Sequence, residues 1–320
     1  MKERMQERFG NAMGGGYGLT PLPPQSLNIE LNNTCNHHCV FCPFHSPYVK
    51  KSEPPAHMEI TLAKKILDKA KEQGIGGKEI GFYSTGEALL HKGLEECIGY
   101  AKKLGCPYVF LTTNGSLATP QRIVSLIDAG LDSVRFSVNG TNREEYLKLH
   151  GMDHFGQVMA NIEFLHKYRQ EKNINIRTSV SCVITKETRH NTHKIHELLG
   201  NLVDEIICMP VMDLETLGAE LVEEYAVEDS TITNSTRRIC PILFNSMYIG
   251  GNGRMRICCD ARATHISAGD LNQDIDLMKA WNGEIMRHYR QLHIQGEISD
   301  SICNSCQMSM RPVDKYFLNE

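Results

Sequence analysis

From Leu27 onward, short stretches of alternating or continuous apolar residues take turns with longer stretches whose apolar positions recur every three to four residues. The first kind predicts strands at 27–31, 79–83, 108–112, 133–138, 174–183 and 205–209. The second predicts helices at 61–73, 93–104, 120–129, 155–170 and 189–199. Strand-then-helix order, repeated, predicts an α/β fold with a parallel sheet and helices outside it. Six such units occupy about 185 residues, too few for a closed eightfold barrel and enough for a partial one. Within the strands the alternation has a second meaning. Leu27, Ile29 and Leu31 share one face against Asn28, Glu30 and Asn32, and Val134, Phe136 and Val138 oppose Ser133, Arg135, Ser137 and Asn139. The apolar faces suit helices, and the polar faces line a wet interior, as an enzyme cavity needs.

Beyond Pro210 the rhythm changes. Residues 213–230 are acidic and irregular, a lid or crossing helix. Segments 244–249 and 254–257 read as a hairpin turned by Gly250-Gly251-Asn252-Gly253, and a helix is expected at 275–293. Residues 1–24, with their glycine run Gly14-Gly15-Gly16, read as a flexible extension. The plan is an extension at 1–24, a partial barrel at 25–212, a connecting segment at 213–235 and a small cysteine-built domain at 236–320.

Composition changes this picture at one point. Lys and Arg number 34 against 38 Asp and Glu, a net charge of −4, which leaves no electrostatic footprint for nucleic acid. No apolar run reaches the ~18–20 residues of a membrane span. The charged start has no apolar segment behind it, so a cytoplasmic protein is expected. The twelve cysteines are the departure. In a reducing compartment, closely spaced cysteines hold metal or do redox chemistry. They group as Cys35/Cys39/Cys42, Cys258/Cys259 and Cys303/Cys306, with Cys240 upstream; Cys97, Cys106, Cys182 and Cys208 lie in apolar segments and read as core.

The first group follows the first strand, at the strand end where (β/α) barrels carry their chemistry. Three thiolates can hold three irons of a [4Fe–4S] cube and leave the fourth open to chelate and reduce a small molecule. A zinc ion with His37 or His38 as fourth ligand is the other chemistry open to them; otherwise these histidines are loop residues. Cys240, Cys258, Cys303 and Cys306, spaced by 18, 45 and 3 positions, can fully ligate a second cluster or a structural zinc. Cys259 either exchanges with Cys258 or remains a thiol. Asp-Glu-His triads, a Rossmann fingerprint and a P-loop are absent from the sequence, which leaves hydrolase, nicotinamide and NTPase chemistry without support.

Cys-x3-Cys-x2-Cys, with Phe41 just before the third cysteine, resembles the signature of the radical S-adenosylmethionine (SAM) superfamily, over about residues 25–210. The resemblance implies a partial (β/α)6 barrel in which SAM chelates the open iron of a cluster on Cys35, Cys39 and Cys42. It implies Phe41 near the adenine, and Thr85-Gly86-Glu87-Ala88 as the counterpart of a Gly-Gly-Glu-Pro stretch that binds the SAM amino group. It further places Asn114, Ser137 and Asn139 toward the ribose or methionine part of SAM and Arg177 toward its carboxylate. A flavodoxin- or ferredoxin-type reductant is the implied partner. Cys240-x12-Gly253-x4-Cys258 resembles the start of the SPASM extension of these enzymes, and Ala268-Gly269-Asp270-Leu271 and Trp281 resemble its middle. With no cysteine after Cys306, the likeness is to the shortened, single-cluster twitch form found in 2-deoxy-scyllo-inosamine dehydrogenase and related enzymes.

The function so implied is hydrogen abstraction by a 5′-deoxyadenosyl radical from a small polar substrate: a sugar, aminocyclitol or sugar nucleotide. The auxiliary [4Fe–4S] cluster would then take an electron from the substrate radical. The short extension, with no leader-peptide domain, favours a small molecule over a peptide. Glu30, Arg135 and Asp213 are the expected substrate contacts. The alternatives are a radical epimerase with Cys259 as hydrogen donor, a peptide-modifying SPASM enzyme, and a zinc-binding scaffold without catalysis.

Overall fold

The computed structural model describes residues 17–50, 53–211, 219–225, 239–260, 263–304 and 306. Its first half runs β1 (Ser26–Ile29), α1 (Ile60–Glu72), β2 (Glu79–Phe82), α2 (Leu94–Lys103), β3 (Val109–Thr113), α3 (Pro120–Asp128) and β4 (Ser133–Ser137). Next come α4 (Arg143–His150), α5 (Phe155–Glu171), β5 (Arg177–Ile184), α6 (Thr192–Leu199) and β6 (Glu205–Pro210). A short α7 (Ala219–Tyr225) precedes the C-terminal module: α8 (Ile242–Asn245), β7 (Ser246–Ile249), β8 (Arg254–Arg256), β9 (Ser267–Asp270), α9 (Leu277–Trp281) and α10 (Glu284–Gln295).

β1 to β6 pair in parallel with their sequence neighbours, as the repeated strand–helix order requires. The apolar faces of the strands (Leu27, Ile29, Leu111, Phe136, Val180) join Ile66, Leu94, Ile98, Ile162 and Leu165 of the helices in one core. Each such buried side chain contributes roughly 1.5–3 kcal/mol. No described helix is long and apolar enough to cross a membrane.

The C-terminal module is not a separate layer. β7 pairs in parallel with the second edge of β1, Leu27 opposite Met247 and Ile29 opposite Ile249. β8 and β9 follow antiparallel, giving one nine-stranded sheet in the order β6-β5-β4-β3-β2-β1-β7-β8-β9. Backbone hydrogen bonds therefore run unbroken from the barrel into the cysteine-built module.

Four details differ from the sequence pattern. Phe244 and Asn245 belong to a helical turn after Pro241, so the hairpin begins only at Ser246. The helix expected at 275–293 is two helices, because Gly283 takes an extended conformation (φ −65°, ψ 169°) and caps the second. α4 was not expected; Asn142 caps it by accepting the Glu145 N–H, and Gly151 ends it at φ 69°. Finally, Tyr17 to Leu19 are held rather than loose. The Tyr17 ring lies edge-on to Phe244 at 4.8 Å, and the Leu19 carbonyl accepts from the buried Arg290 guanidinium at 2.9 Å.

Glu30, expected to touch substrate, instead closes the joint between barrel and module. It is 2% exposed. Its Oε1 accepts the N–H groups of Thr85 (2.6 Å) and Gly86 (3.2 Å) and the Thr85 hydroxyl. Its Oε2 accepts the Gly251 N–H (3.0 Å) and pairs with Arg256 (3.1 Å), which also reaches Glu53 (2.8 Å). A carboxylate engaged at both oxygens is occupied by the fold. Glu30→Ala would orphan three N–H groups and half of a buried ion network, a loss of roughly 3–5 kcal/mol. Urea unfolding followed by circular dichroism measures it, and a loss below about 1 kcal/mol would remove Glu30 from this role.

Candidate metal-cluster site

β1 delivers the chain to the C-terminal rim of the parallel strands, where the loop carrying Cys35, Cys39 and Cys42 is pinned from two sides. On the first side, Asn32 Oδ1 accepts the Thr34 N–H (3.0 Å) while its Nδ2 donates to the Glu87 carbonyl (2.9 Å), and the Glu87 N–H donates to the Thr34 carbonyl (2.8 Å). Gly86 packs so tightly here that a Cβ would lie 2.4 Å from the Asn32 carbonyl and 2.7 Å from that of Thr34. On the other side, the end of α4 takes the N–H groups of His38 (3.1 Å, to the His150 carbonyl) and Val40 (3.0 Å, to that of Leu149).

Hydrogen-bond donors converge on the sulfurs so held. The His37 N–H points at Cys35 Sγ (3.4 Å), with Asn114 Nδ2 at 3.9 Å, and Cys42 receives backbone N–H groups of Phe44, His45 and Ser46. Cys39 Sγ lies 3.6 Å from His150 Nδ1. Burial pushes the Cys35 thiol up to about 11, with the Glu87 and Cys42 charges adding to it, and pushes Cys39 and Cys42 up as well. Thiols this desolvated and this close become thiolates only around a cation, and the converging donors suit sulfur carrying negative charge. The donor set therefore fits an iron–sulfur cluster.

Glu87, Asn114 and Asn139, which the resemblance assigns to SAM, hydrogen-bond the segments around this loop. Glu87 is fully buried; its carboxylate accepts the Thr113 hydroxyl (2.6 Å) and Leu89 N–H (3.0 Å) at Oε1 and the Asn114 N–H (2.7 Å) at Oε2. Asn114 donates to Asn36 Oδ1 (2.9 Å), and Asn139 joins β5 to His150. Phe41 packs with Val40 and Val49 on Leu149, Val211, Leu221 and Tyr225. Arg177 is exposed and opens β5, an eight-residue strand, so it lies at the opposite rim, about 25 Å away at ~3.3 Å per residue. Ser137 and Arg135 share the inward face of β4, both half-buried. Asp213 lies outside the described residues. Thr85 lines a cavity of about 420 Å³ beside Cys35, together with His38, His45, Glu53 and Thr264, and its carbonyl accepts from His45 Nε2 (2.9 Å).

Sequence reasoning missed a buried histidine group behind the loop. His37, expected as a loop residue, is 1% exposed; its Nδ1 lies 3.3 Å from His150 Nδ1 and its Nε2 2.9 Å from His154 Nδ1. The signal was the Asn142-x-x-Glu145 cap and Gly151, which together mark the helix ending in His150.

The second cysteine set gathers below the hairpin. Because β8 runs antiparallel to β7, Cys258 comes back to the level at which β7 begins. Cys240 is within electrostatic reach of Cys303 and Cys259, and Cys258 of Cys259 and Cys306; burial pushes the Cys240 thiol up to about 12. Cys258 is half-buried and Cys259 exposed.

A parallel partial barrel with clustered thiols on its first loop, continued by a cysteine-built module, defines an iron–sulfur enzyme of the radical type. The chain belongs to the radical SAM superfamily, which residues 29–199 match, and residues 240–307 match the SPASM iron–sulfur cluster-binding domain. Membership brings a [4Fe–4S] cluster and SAM as cofactors, and the second domain brings auxiliary iron–sulfur ligation. The chain is 27% identical over 277 residues to a tungsten-containing aldehyde ferredoxin oxidoreductase cofactor-modifying protein of Pyrococcus furiosus, covering 85% of this chain and 72% of that one. It is 30% identical over 189 residues to a probable GTP 3′,8-cyclase of Saccharolobus islandicus, 58% of this chain and 56% of the relative. Among solved structures it is similar in fold to native anSMEcpe with bound AdoMet (TM-score 0.63, 16% identity, 90% of this chain and 89% of that one). It is also similar to BtrN in complex with AdoMet and 2-DOIA (TM-score 0.57, 15% identity, 88% and 92%).

Gly86→Ala should drive its methyl group into two backbone carbonyls, cost at least ~1–3 kcal/mol and lower the iron bound per chain. Gly99→Ala in α2, whose Cβ meets nothing closer than 3.8 Å, is the control and should keep its iron. Iron analysis after anaerobic purification checks both; equal iron in the two variants would show that the loop tolerates displacement.

Proposed function

We propose that the chain uses a cluster held by Cys35, Cys39 and Cys42 for reductive cleavage of SAM to a 5′-deoxyadenosyl radical, which takes a hydrogen atom from a C–H bond of a small polar substrate. In this reading Cys240, Cys258, Cys303 and Cys306 hold an auxiliary [4Fe–4S] cluster of the twitch type, which accepts an electron from the substrate radical. A flavodoxin- or ferredoxin-type protein supplies the reducing electron. One observation carries the reading: the two cysteine sets lie toward opposite ends of a continuous sheet. The first is at the C-terminal rim of β1; the second is where β7, paired in parallel with β1, begins.

The inward face carries Arg135 and Ser137 on β4 and Ser179 and Ser181 opposite them on β5. These residues suit a hydroxylated substrate, a sugar, aminocyclitol or sugar nucleotide, by offering donors and acceptors inside a wall that keeps bulk water out. Likeness to a protein named as cofactor-modifying and to GTP cyclases supports a small polar molecule of this kind. Thr85, tethered by His45 and by Glu30, lines the cavity beside Cys35 and orients the part of SAM nearest the cluster. Burial favours Cys258 over the exposed Cys259 as ligand, and Cys259, beside the second set rather than on the cavity, is poorly placed to return a hydrogen atom. Oxidation is therefore preferred to epimerisation.

Iron and sulfide counting on anaerobically purified protein tests the assignment. About eight irons are expected in the wild type, and about four in either a Cys35/Cys39/Cys42→Ala or a Cys258→Ala variant. Cys259→Ala should retain the wild-type number. Only the variant lacking the first set should lose reductive release of 5′-deoxyadenosine. Zinc in place of iron in both sets would sink the proposal, and loss of iron in Cys259→Ala would exchange the roles of the two adjacent cysteines.

A further inference from the structure

We propose that His150 tunes the SAM-binding cluster, donating a hydrogen bond from its Nδ1–H to the sulfur of Cys39 and thereby raising the cluster's reduction potential. This rests on the assignment of Cys35, Cys39 and Cys42 made above.

The tautomer of His150 follows from a chain of unambiguous donors. The Val183 backbone N–H donates to one side-chain atom of Asn139 at 2.7 Å, which identifies that atom as the oxygen Oδ1 and the other as the NH2 group. That NH2 group (3.2 Å) and the Asn139 backbone N–H (3.0 Å) both point at His150 Nε2. A nitrogen receiving two donors is the lone-pair nitrogen, so the proton of the neutral ring is on Nδ1. Nδ1–H faces two acceptors, Cys39 Sγ at 3.6 Å and His37 Nδ1 at 3.3 Å. A thiolate on iron carries negative charge and outcompetes a neutral imidazole for the proton.

The ring cannot turn away from this task. It is 0% exposed and stacks on the Tyr146 ring at 3.8 Å with 12° between the planes. Its own carbonyl holds the His38 N–H, so the side chain and main chain of one residue grip the same loop. A hydrogen bond to a ligating sulfur withdraws electron density from it and stabilises the more negative, reduced cluster. His37 and His154 stand behind as an alternative hydrogen-bond partner and its support, which keeps the donor oriented whether or not the cluster is present.

The experiment is an EPR-monitored redox titration of anaerobic wild-type, His150→Phe and His150→Gln proteins, following the reduced-cluster signal that disappears in Cys35/Cys39/Cys42→Ala. His150→Phe, which fills the space without a donor, should shift the midpoint to more negative potential. His150→Gln, with a carbonyl for the Asn139 donors and an N–H for the sulfur, should recover part of the shift. An iron-loaded His150→Phe protein at the wild-type midpoint overturns the proposal. Should that variant not retain iron, wild-type protein with histidine labelled by 15N in the imidazole ring decides by pulsed EPR. A weak ring-nitrogen coupling to the reduced cluster is expected. No coupling overturns the proposal, and so does the strong coupling of a directly ligated nitrogen, an arrangement that His37, Cys39 and His150, with ligand atoms all within 4.8 Å, would also allow. Undiminished iron in Cys35/Cys39/Cys42→Ala would instead dismiss the cluster assignment itself, whatever the midpoints are.

Discussion

A carboxylate buried among backbone N–H groups organises this molecule. Glu30 leaves β1 just where three segments must meet: the cysteine loop, the end of β2 and the hairpin turn of the C-terminal module. Desolvating a charge is costly unless every lone pair is used, and here they are used by Thr85, Gly86, Gly251 and Arg256. The arrangement is therefore all or nothing. Loss of one partner leaves the others wrong, which is how a single side chain can hold three loops to a common geometry.

That geometry is transmitted to sulfur by glycine and by helix ends. Gly86 lets one backbone approach another at a distance no side chain permits, and the left-handed Gly151 stops α4 so that its last carbonyls can grip residues 38 and 40. Between these contacts the main chain carrying the three thiols is held in place. Donors then arrive from a backbone amide at Cys35, from backbone amides at Cys42 and from an imidazole at Cys39, so the three sulfurs are electronically unlike.

The six parallel strands and the grouping of the cysteines were legible because alternation with period two and short ligand spacing leave little choice. What sequence could not tell was which polar residue faces a ligand and which satisfies the backbone. Glu30, Glu87, Asn114 and Asn139 all sit at or just beyond strand ends, where barrels keep their chemistry, and all four are turned toward neighbouring chain segments. Burial of main chain at a rim demands polar side chains just as a ligand does, and the two demands look alike in one dimension. α4 was missed because its eight residues carry few apolar positions, while its caps, Asn142 and Gly151, were visible. The split of 275–293 has the same origin: one glycine in a periodic pattern is a tolerated irregularity or a break, depending on packing.

The pairing of β7 with β1 has a consequence for how such proteins can be assembled from parts. A barrel ending at β6 would leave the outer edge of β1 with unsatisfied amides, next to a carboxylate waiting for a cation and a turn. The C-terminal module is thus a plug of defined shape: a parallel strand, a glycine turn and an arginine. Any other module set in its place would need those three features to close the edge of β1 and neutralise Glu30.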